Sequence, residues 1–282
     1  MKRFIVFFKK NIGQIISHLV IIALLLMVIY PLFLLIIKSF KTISEDQTNP
    51  FAMPTSFYLE NFQYAWEIVR YNFENSLFVT GMTTIIVIVV SGLCAFAFER
   101  FNFPGKEILY LTIIALMMVP GVLTITSKYK LINDIGLMNN MWGVILPTAA
   151  GALPMSIMLL RTSISGISKE MFEAAEMDGA KNLRIFFQIV LPMVKPIVSA
   201  LVIMQFVGTW NDYLWPKLVL TSDINQTIPV RLVTFTKDYY AMTGGYGAPY
   251  AGYVISSIPL IVIFLVASKQ FINGMTSGAF KM

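Results

Sequence analysis

A chain of 282 residues that is 57% hydrophobic, only 13% charged and +0.73 in mean hydropathy carries far more apolar side chain than a soluble core of that length requires. That balance excludes an ordinary soluble domain and places the chain among all-α polytopic membrane proteins. The one cysteine, Cys94, excludes an internal disulfide and a Cys-rich metal site, and its apolar run suits a small core residue. A net charge of +6 would suggest nucleic acid for a soluble protein; here Lys and Arg gathered on one side of a membrane account for it, and no nucleic-acid partner is expected.

Lys2, Arg3, Lys9 and Lys10 precede a first apolar run over about 19–37, close to the roughly 20 residues that cross hydrocarbon. The run is too long for a cleaved signal peptide and lacks a small-residue cleavage site, so it reads as a retained span with the N-terminus in the cytoplasm. His18, with no second His or Cys nearby, reads as interfacial. Residues 38–75 are mixed and polar, and within them Phe62, Ala65, Trp66 and Val69 recur at helical spacing. That spacing predicts an extracytoplasmic helix at the interface, anchored by Trp66 and Tyr71, serving either an external partner or as padding between spans. A second run, 76–98, ends in a polar turn through Glu99, Arg100, Pro104, Gly105 and Lys106. The third, 108–125, is interrupted by Pro120 and Gly121; a proline there frees a backbone carbonyl, either in a kink that lines a pathway or in a packing bend. An outside loop over 128–140 carries Asp134, Gly136, Asn139 and Asn140 as turn formers, and the fourth run, 141–160, is closed by Arg161.

Residues 168–192 then break the apolar pattern. Glu170 and Glu173 fall in a first helical turn, where carboxylates favour the positive end of the dipole. Ala174 and Ala175 keep that helix slim, Gly179 suits a left-handed terminus, and Asn182 is predicted as the N-cap of a second helix. Leu183, Phe186, Phe187 and Val190 form an apolar ridge, and Pro192 and Pro196 interrupt it where the chain re-enters the bilayer. Pattern alone leaves two readings: a loop that merely ties two spans together, or a docking element at the membrane surface.

A fifth run, 193–212, ends at Trp210, Asn211, Asp212 and Tyr213. Polar groups at that depth are costly and face a cavity or a neighbour. Asn211 and Asp212 either cap the helix or belong to an aromatic, polar patch for a hydroxylated solute. On the second reading Asn75, Trp210, Asn211, Asp212 and Tyr213 are the candidate substrate-pathway residues, since sugar recognition combines aromatic faces with hydrogen bonds. Residues 216–250 make the longest outside loop, and a last run covers 251–267. The reading is six spans with both termini inside. Thirteen Lys and Arg then lie inside against eight outside, which puts 168–192 in the cytoplasm.

No GxxxxGK[ST] phosphate loop is present, nor HExxH, CxxC or G-x-S-x-G. One His and one Cys supply no ordinary nucleophile-and-base pair, so neither ATP hydrolysis nor another enzymatic activity is expected of this chain.

Glu173, Ala174, Ala175, Asp178, Gly179, Ala180, Phe186, Ile189, Leu191, Pro192 and Pro196 fit EAA-x2-DGA-x5-F-x2-I-x-L-P-x3-P without departure. The segment therefore resembles the EAA loop of ABC importer permeases. Residues 95–100 with Phe103, Pro104, Gly105 and Lys106 resemble the second cytoplasmic turn of sugar-uptake permeases. Phe206 with residues 210–216 is similar to their WN-x-FLWP segment, with Tyr213 where Phe is common. Phe271, Gly274, Gly278, Ala279 and Lys281 resemble their C-terminal ending, which here closes on Met282 in place of Gly. The likeness covers nearly the whole chain from Asn75 onward and points to the MalG-like, maltose-type permeases of carbohydrate uptake.

That resemblance implies one permease domain of the type I ABC importer fold, with six transmembrane helices and a cytoplasmic coupling helix, in a bacterial cytoplasmic membrane. It implies a second, different permease, two copies of an ATPase that bind ATP and magnesium in place of this chain, an extracytoplasmic solute-binding protein and a sugar substrate. Glu173, Ala174, Ala175, Asp178, Gly179 and Ala180, with Phe186 and Pro192, would dock the ATPase. Alternatives are an ABC permease for another solute and an ion-coupled carrier; the latter needs midplane ionisable groups or broken helices, for which only Asp212 is near.

Overall fold

A backbone in lipid has no hydrogen-bond partner but itself, so long apolar runs are driven into helices. The computed structural model describes residues 2–279, with side chains from 13 to 266, and among these the regular elements are all helical. Among the described residues, four helices contain stretches long and apolar enough to cross a membrane: α1 (Lys2–Ser39), α3 (Glu60–Arg100), α6 (Met141–Ile164) and α13 (Gly247–Ala279). A short α2 (Ile43–Thr48) lies between the first two.

The third run and the entry to the fifth are bent helix pairs, broken at the prolines that interrupt the sequence there. In the third, α4 (Lys106–Ala115) yields to 3₁₀ turns at Leu116–Met118 and Gly121–Thr124 before α5 (Ile125–Asp134), with a bend of 92°. Pro120 forces it: Val119 before it is extended, at φ −83° and ψ 114°, as the proline ring requires. In the fifth, α8 (Asn182–Ile185), a π turn at Phe186–Val190 and α9 (Leu191–Met193) meet α10 (Lys195–Trp210) at 80°. Pro192 and Pro196 each lie within the first two positions of their helices, where the missing N–H costs nothing.

Other expectations need correction. The stretch 59–73 is no separate interfacial helix; it continues into the second span as the 41-residue α3, about 60 Å long at 1.5 Å per residue. The loop expected over 128–140 is helical to Asp134. The loop expected over 216–250 contains α11 (Leu214–Val219) and α12 (Ile228–Thr243), and the last helix starts at Gly247. Charged and β-branched residues disguise α12, whose Ile228, Val230, Leu232 and Phe235 are buried. Lys181, extended at φ −80° and ψ 160°, holds the N-cap position predicted for Asn182, which is the first residue of α8. Cys94 is half-buried. The side chains of the N-terminal basic cluster and of Phe271, Gly274, Gly278, Ala279 and Lys281 lie outside those described.

By packing, the chain divides into two units, one running to Ile68 and including Thr234–Ile255, the other formed by Val69–Val233 and the chain from Ser256. In the first, Thr42 and Glu45 form a capping box at the start of α2. Lys38 pairs with the buried Asp46 at 3.2 Å, and Asp46 also accepts the Tyr246 N–H at 3.1 Å. Asn61 donates to the carbonyls of Ser39 and Lys41 at 2.9 and 2.8 Å, and the buried Lys41 reaches the Asn49 carbonyl at 2.6 Å. Lys38 and Lys41, which in sequence look like ordinary outside-loop cations, thus stitch the chain together.

Among the described residues of the second unit lie two apolar clusters. One gathers Val79, Ile132, Val144, Ile145, Trp215, Val219 and Leu220. Its loop closes on Asn139, at φ 55°, whose N–H donates to the Val219 carbonyl at 2.8 Å and whose side chain accepts from the Ser222 N–H at 3.0 Å. The other cluster, around Phe96, Leu160 and Phe186, carries the element at 168–192.

Candidate functional site: the helix–turn element at residues 168–192

Helix α7 (Lys169–Met177) begins after the extended Ser168 and ends at Gly179, which is left-handed at φ +75°. The ending is closed by two backbone bonds of 2.9 Å, from the Gly179 N–H to the Glu176 carbonyl and from the Ala180 N–H to the Ala175 carbonyl. Only glycine takes that φ without strain. At the other end the Glu170 carboxyl is held below its ordinary pKa by its own backbone N–H, with help from the Ser168 hydroxyl, as suits the positive end of a helix.

The helix has an inner and an outer face. Phe172 and Ala175 are buried against Ala95, Phe96, Leu160, Ile164, Ile185, Phe186 and Val190, and Ala180 packs on the same cluster. Glu173, Ala174, Asp178 and Gly179 are exposed, and Met177 is 89% exposed. The alanine pair therefore divides its work, with Ala175 facing in and Ala174 facing out. Phe186 is buried with its ring 5.5 Å from that of Phe96, in space left by Gly92, where a Cβ would lie 3.3 Å from it. Pro192 is exposed at the start of α9. The expected ridge is only half realised. Phe186 and Val190 are buried, while Leu183 and Phe187 are 64% and 59% exposed and Ile185 goes inside. The π turn widens the repeat from i→i+4 to i→i+5 and turns the register.

Beside α7 lies a charged cluster whose pairing the sequence does not show, although Glu99 and Arg100 belong to the polar turn after the second run and Arg161 closes the fourth. Arg161, near the end of α6, donates to Glu99 of α3 at 2.7 Å and to both oxygens of Glu107 of α4 at 2.7 and 3.1 Å. Its guanidinium lies 4.0 Å from the Tyr110 ring centre and 5.7 Å from that of Phe98. Arg100, the last residue of α3, pairs with Glu176 of α7 and lies 5.8 Å over the Phe172 ring. A cavity of about 360 Å³ beside α7 is lined by Glu99, Arg100, Asn102, Lys106, Lys169 and Glu173, among others. The available signal was opposite charges at the ends of three successive runs.

The substrate-pathway candidates are engaged elsewhere. Asn75 donates to the carbonyls of Ile224 and Gln226 at 2.6 and 3.2 Å. Trp210 is buried, stacked on Phe206 at 5.8 Å, with its indole N–H 3.2 Å from the Ser256 carbonyl. Asn211 donates back to the Val207 carbonyl at 2.9 Å, and Asp212 accepts from the Trp215 N–H at 3.4 Å at the start of α11. Asn211 and Asp212 thus make capping bonds, and Asn211 and Tyr213 keep exposed surface. Among the described residues no group of three His, Cys, Asp or Glu side chains forms a metal-sized site.

A family model described as "binding-protein-dependent transport system inner membrane component" matches residues 87–277. The chain is 34% identical over 275 residues to the probable ABC transporter permease protein YurM of Bacillus subtilis, covering 97% of this chain and 90% of that one. It is 30% identical over 269 residues to the diacetylchitobiose uptake system permease protein NgcG of Streptomyces coelicolor, covering 94% and 88%. Its fold matches a chain in the crystal structure of a bacterial ABC transporter involved in the import of the acidic polysaccharide alginate, with a TM-score of 0.82 at 20% identity, over 93% of this chain and 98% of the other.

Proposed function

Since the chain belongs to the family of binding-protein-dependent transport system inner membrane components, a multi-pass membrane protein, we propose that it is a permease subunit of an ATP-driven importer for a sugar or oligosaccharide. The names borne by its relatives support the carbohydrate class. The observation that carries the mechanism is α7: one face is packed into the span core, while the other presents Glu173, Ala174, Asp178 and Gly179 outward. Such an element suits a groove on a separate ATPase.

In this reading two ATPase copies supply ATP and magnesium chemistry, one docking on this chain and the other on a second, different permease. An extracytoplasmic binding protein delivers the solute, and both termini face the cytoplasm. Closure of the ATPase pair moves the docked helices, and the spans alternate between inward-open and outward-open. That requires contacts that differ between the two states, and α7 in its groove provides them. Ala175, Ala180 and Phe186 back the docking face from inside, and Pro192 turns the chain toward α10. Asn211 and Tyr213 are the proposed pathway contacts on this chain; Asn75, Trp210 and Asp212 support the surrounding structure.

The test is co-purification from the native membrane, with partner masses and ATPase activity measured. An ATPase, a second permease and a binding protein are expected in the eluate. Glu173→Lys and Gly179→Asp are expected to abolish uptake with membrane insertion intact. A lone chain that still moves solute would defeat the proposal.

A further inference from the structure

Resting on α7 as the docking element, we infer that the Arg100–Glu176 ion pair is the strut that transmits its movement to the spans, and that Arg161 stiffens the receiving end. Arg100 and Glu176 are positioning residues. Glu176 occupies one of the two variable places inside the EAA-x2-DGA pattern, so the motif itself assigns it no part.

The geometry is specific. Phe172 and Glu176 lie four residues apart, one turn above the other on the same side of α7. The Arg100 guanidinium meets both, pairing with the Glu176 carboxylate and lying 5.8 Å over the Phe172 ring. One planar group from the end of α3 therefore grips both turns of α7. Phe172 and Ala175 also pack α7 into the apolar cluster of the spans, and apolar contacts are non-directional. Covalently, α7 hangs from α6 by the short stretch 165–168 and leaves through the Gly179 turn.

The receiving end is braced by the neighbouring residue. Glu99, adjacent to Arg100, is held by Arg161 at 2.7 Å, and the same guanidinium takes both oxygens of Glu107. A planar fork can hold two carboxylates and stack on Tyr110 at once, which an ammonium cannot do. The ends of α3, α4 and α6 are thereby tied at one residue. A displacement of α7 reaches three helices through Glu176, Arg100, Glu99, Arg161 and Glu107 in sequence.

The test uses the whole complex in proteoliposomes with its ATPase, companion permease and binding protein, with ATP hydrolysis and solute uptake measured on the same vesicles. A wild type that neither docks the ATPase nor imports overturns both this inference and the docking reading. With wild-type import in hand, Glu176→Gln and Arg100→Lys are expected to assemble normally and hydrolyse ATP. Each should lower solute moved per ATP by roughly 5- to 10-fold, the low end of a typical coupling interaction. The exchanged pair Arg100→Glu with Glu176→Arg is expected to recover most of that ratio. A wild-type ratio in Glu176→Gln overturns the strut with docking left standing. So does a Glu176→Gln chain that fails to assemble, since the pair would then be structural, and so does an exchanged pair that assembles without recovering the ratio.

Discussion

At the scale of single residues, the same residue type takes different work from its surroundings. Gly179 is needed for its φ of +75°, with nothing within 4 Å of where a Cβ would sit. Gly143 is needed for space: a Cβ there would collide with the Leu137 carbonyl oxygen and lie 3.0 Å from Val219. Glu45 shows the same dependence for a charge. Its carboxyl lies below the ordinary range because the Thr55 hydroxyl donates to it, joined by the backbone N–H groups of Thr42 and Thr55. Those bonds favour the ionised form, so their contribution is fully present above the ordinary carboxylate pKa and is lost as pH falls through the depressed one. Amide hydrogen exchange at Thr42 and Thr55 is therefore expected to lose protection, relative to neighbouring amides, as pH falls below the ordinary carboxylate range. Glu45→Gln should remove that pH step; an unchanged step would show that another group is responsible.

At the scale of elements, the break between α8 and α10 depends on packing as much as on proline. The π turn places Phe186 in the cluster with Phe96 and leaves Phe187 outside. Phe186→Ala is expected to cost about 3–5 kcal/mol, the usual range for emptying a buried aromatic site, and to lower the thermal unfolding midpoint in detergent. Phe187→Ala should leave that midpoint nearly unchanged. Equal effects from the two would mean that the register on this turn is wrong. Periodicity identified Phe186 and Val190 but also Leu183 and Phe187, because a 3.6-residue repeat cannot anticipate a π turn. In the same way α12 carries the composition of a loop: its buried Ile228, Val230, Leu232 and Phe235 alternate with residues that resemble turn and surface composition.

At the scale of the whole molecule, six apolar runs correspond, among the described residues, to four helices long and apolar enough to span and two bent helix pairs. The proposed orientation puts α7 in the cytoplasm and residues 51–57 outside. On a Cys94→Ser background, Met177→Cys, at a position 89% exposed, is expected to react with an impermeant maleimide only when the inner face is accessible. Phe51→Cys, at a position 70% exposed, should react from outside in intact cells or protoplasts. The opposite pattern would reverse the topology and remove α7 from any cytoplasmic ATPase.

By itself, the sequence determined the helical class, the approximate places of the apolar runs and the Glu173–Pro196 motif with its glycine turn. These are local properties: hydropathy follows from composition, and a left-handed terminus follows from one residue without a Cβ. Tertiary structure decided which residues of that motif face inward, as with Ala175 against Ala174. It committed Asn75 to the carbonyls of Ile224 and Gln226, and joined Glu99, Glu107 and Arg161 in one cluster. Asn75 and Ile224 are 149 residues apart, and Arg161 lies 54 and 62 residues from its carboxylates. Packing brings such partners together through contacts that leave no period in the chain, so only the folded molecule distinguishes a residue that bounds a span from one that ties three together.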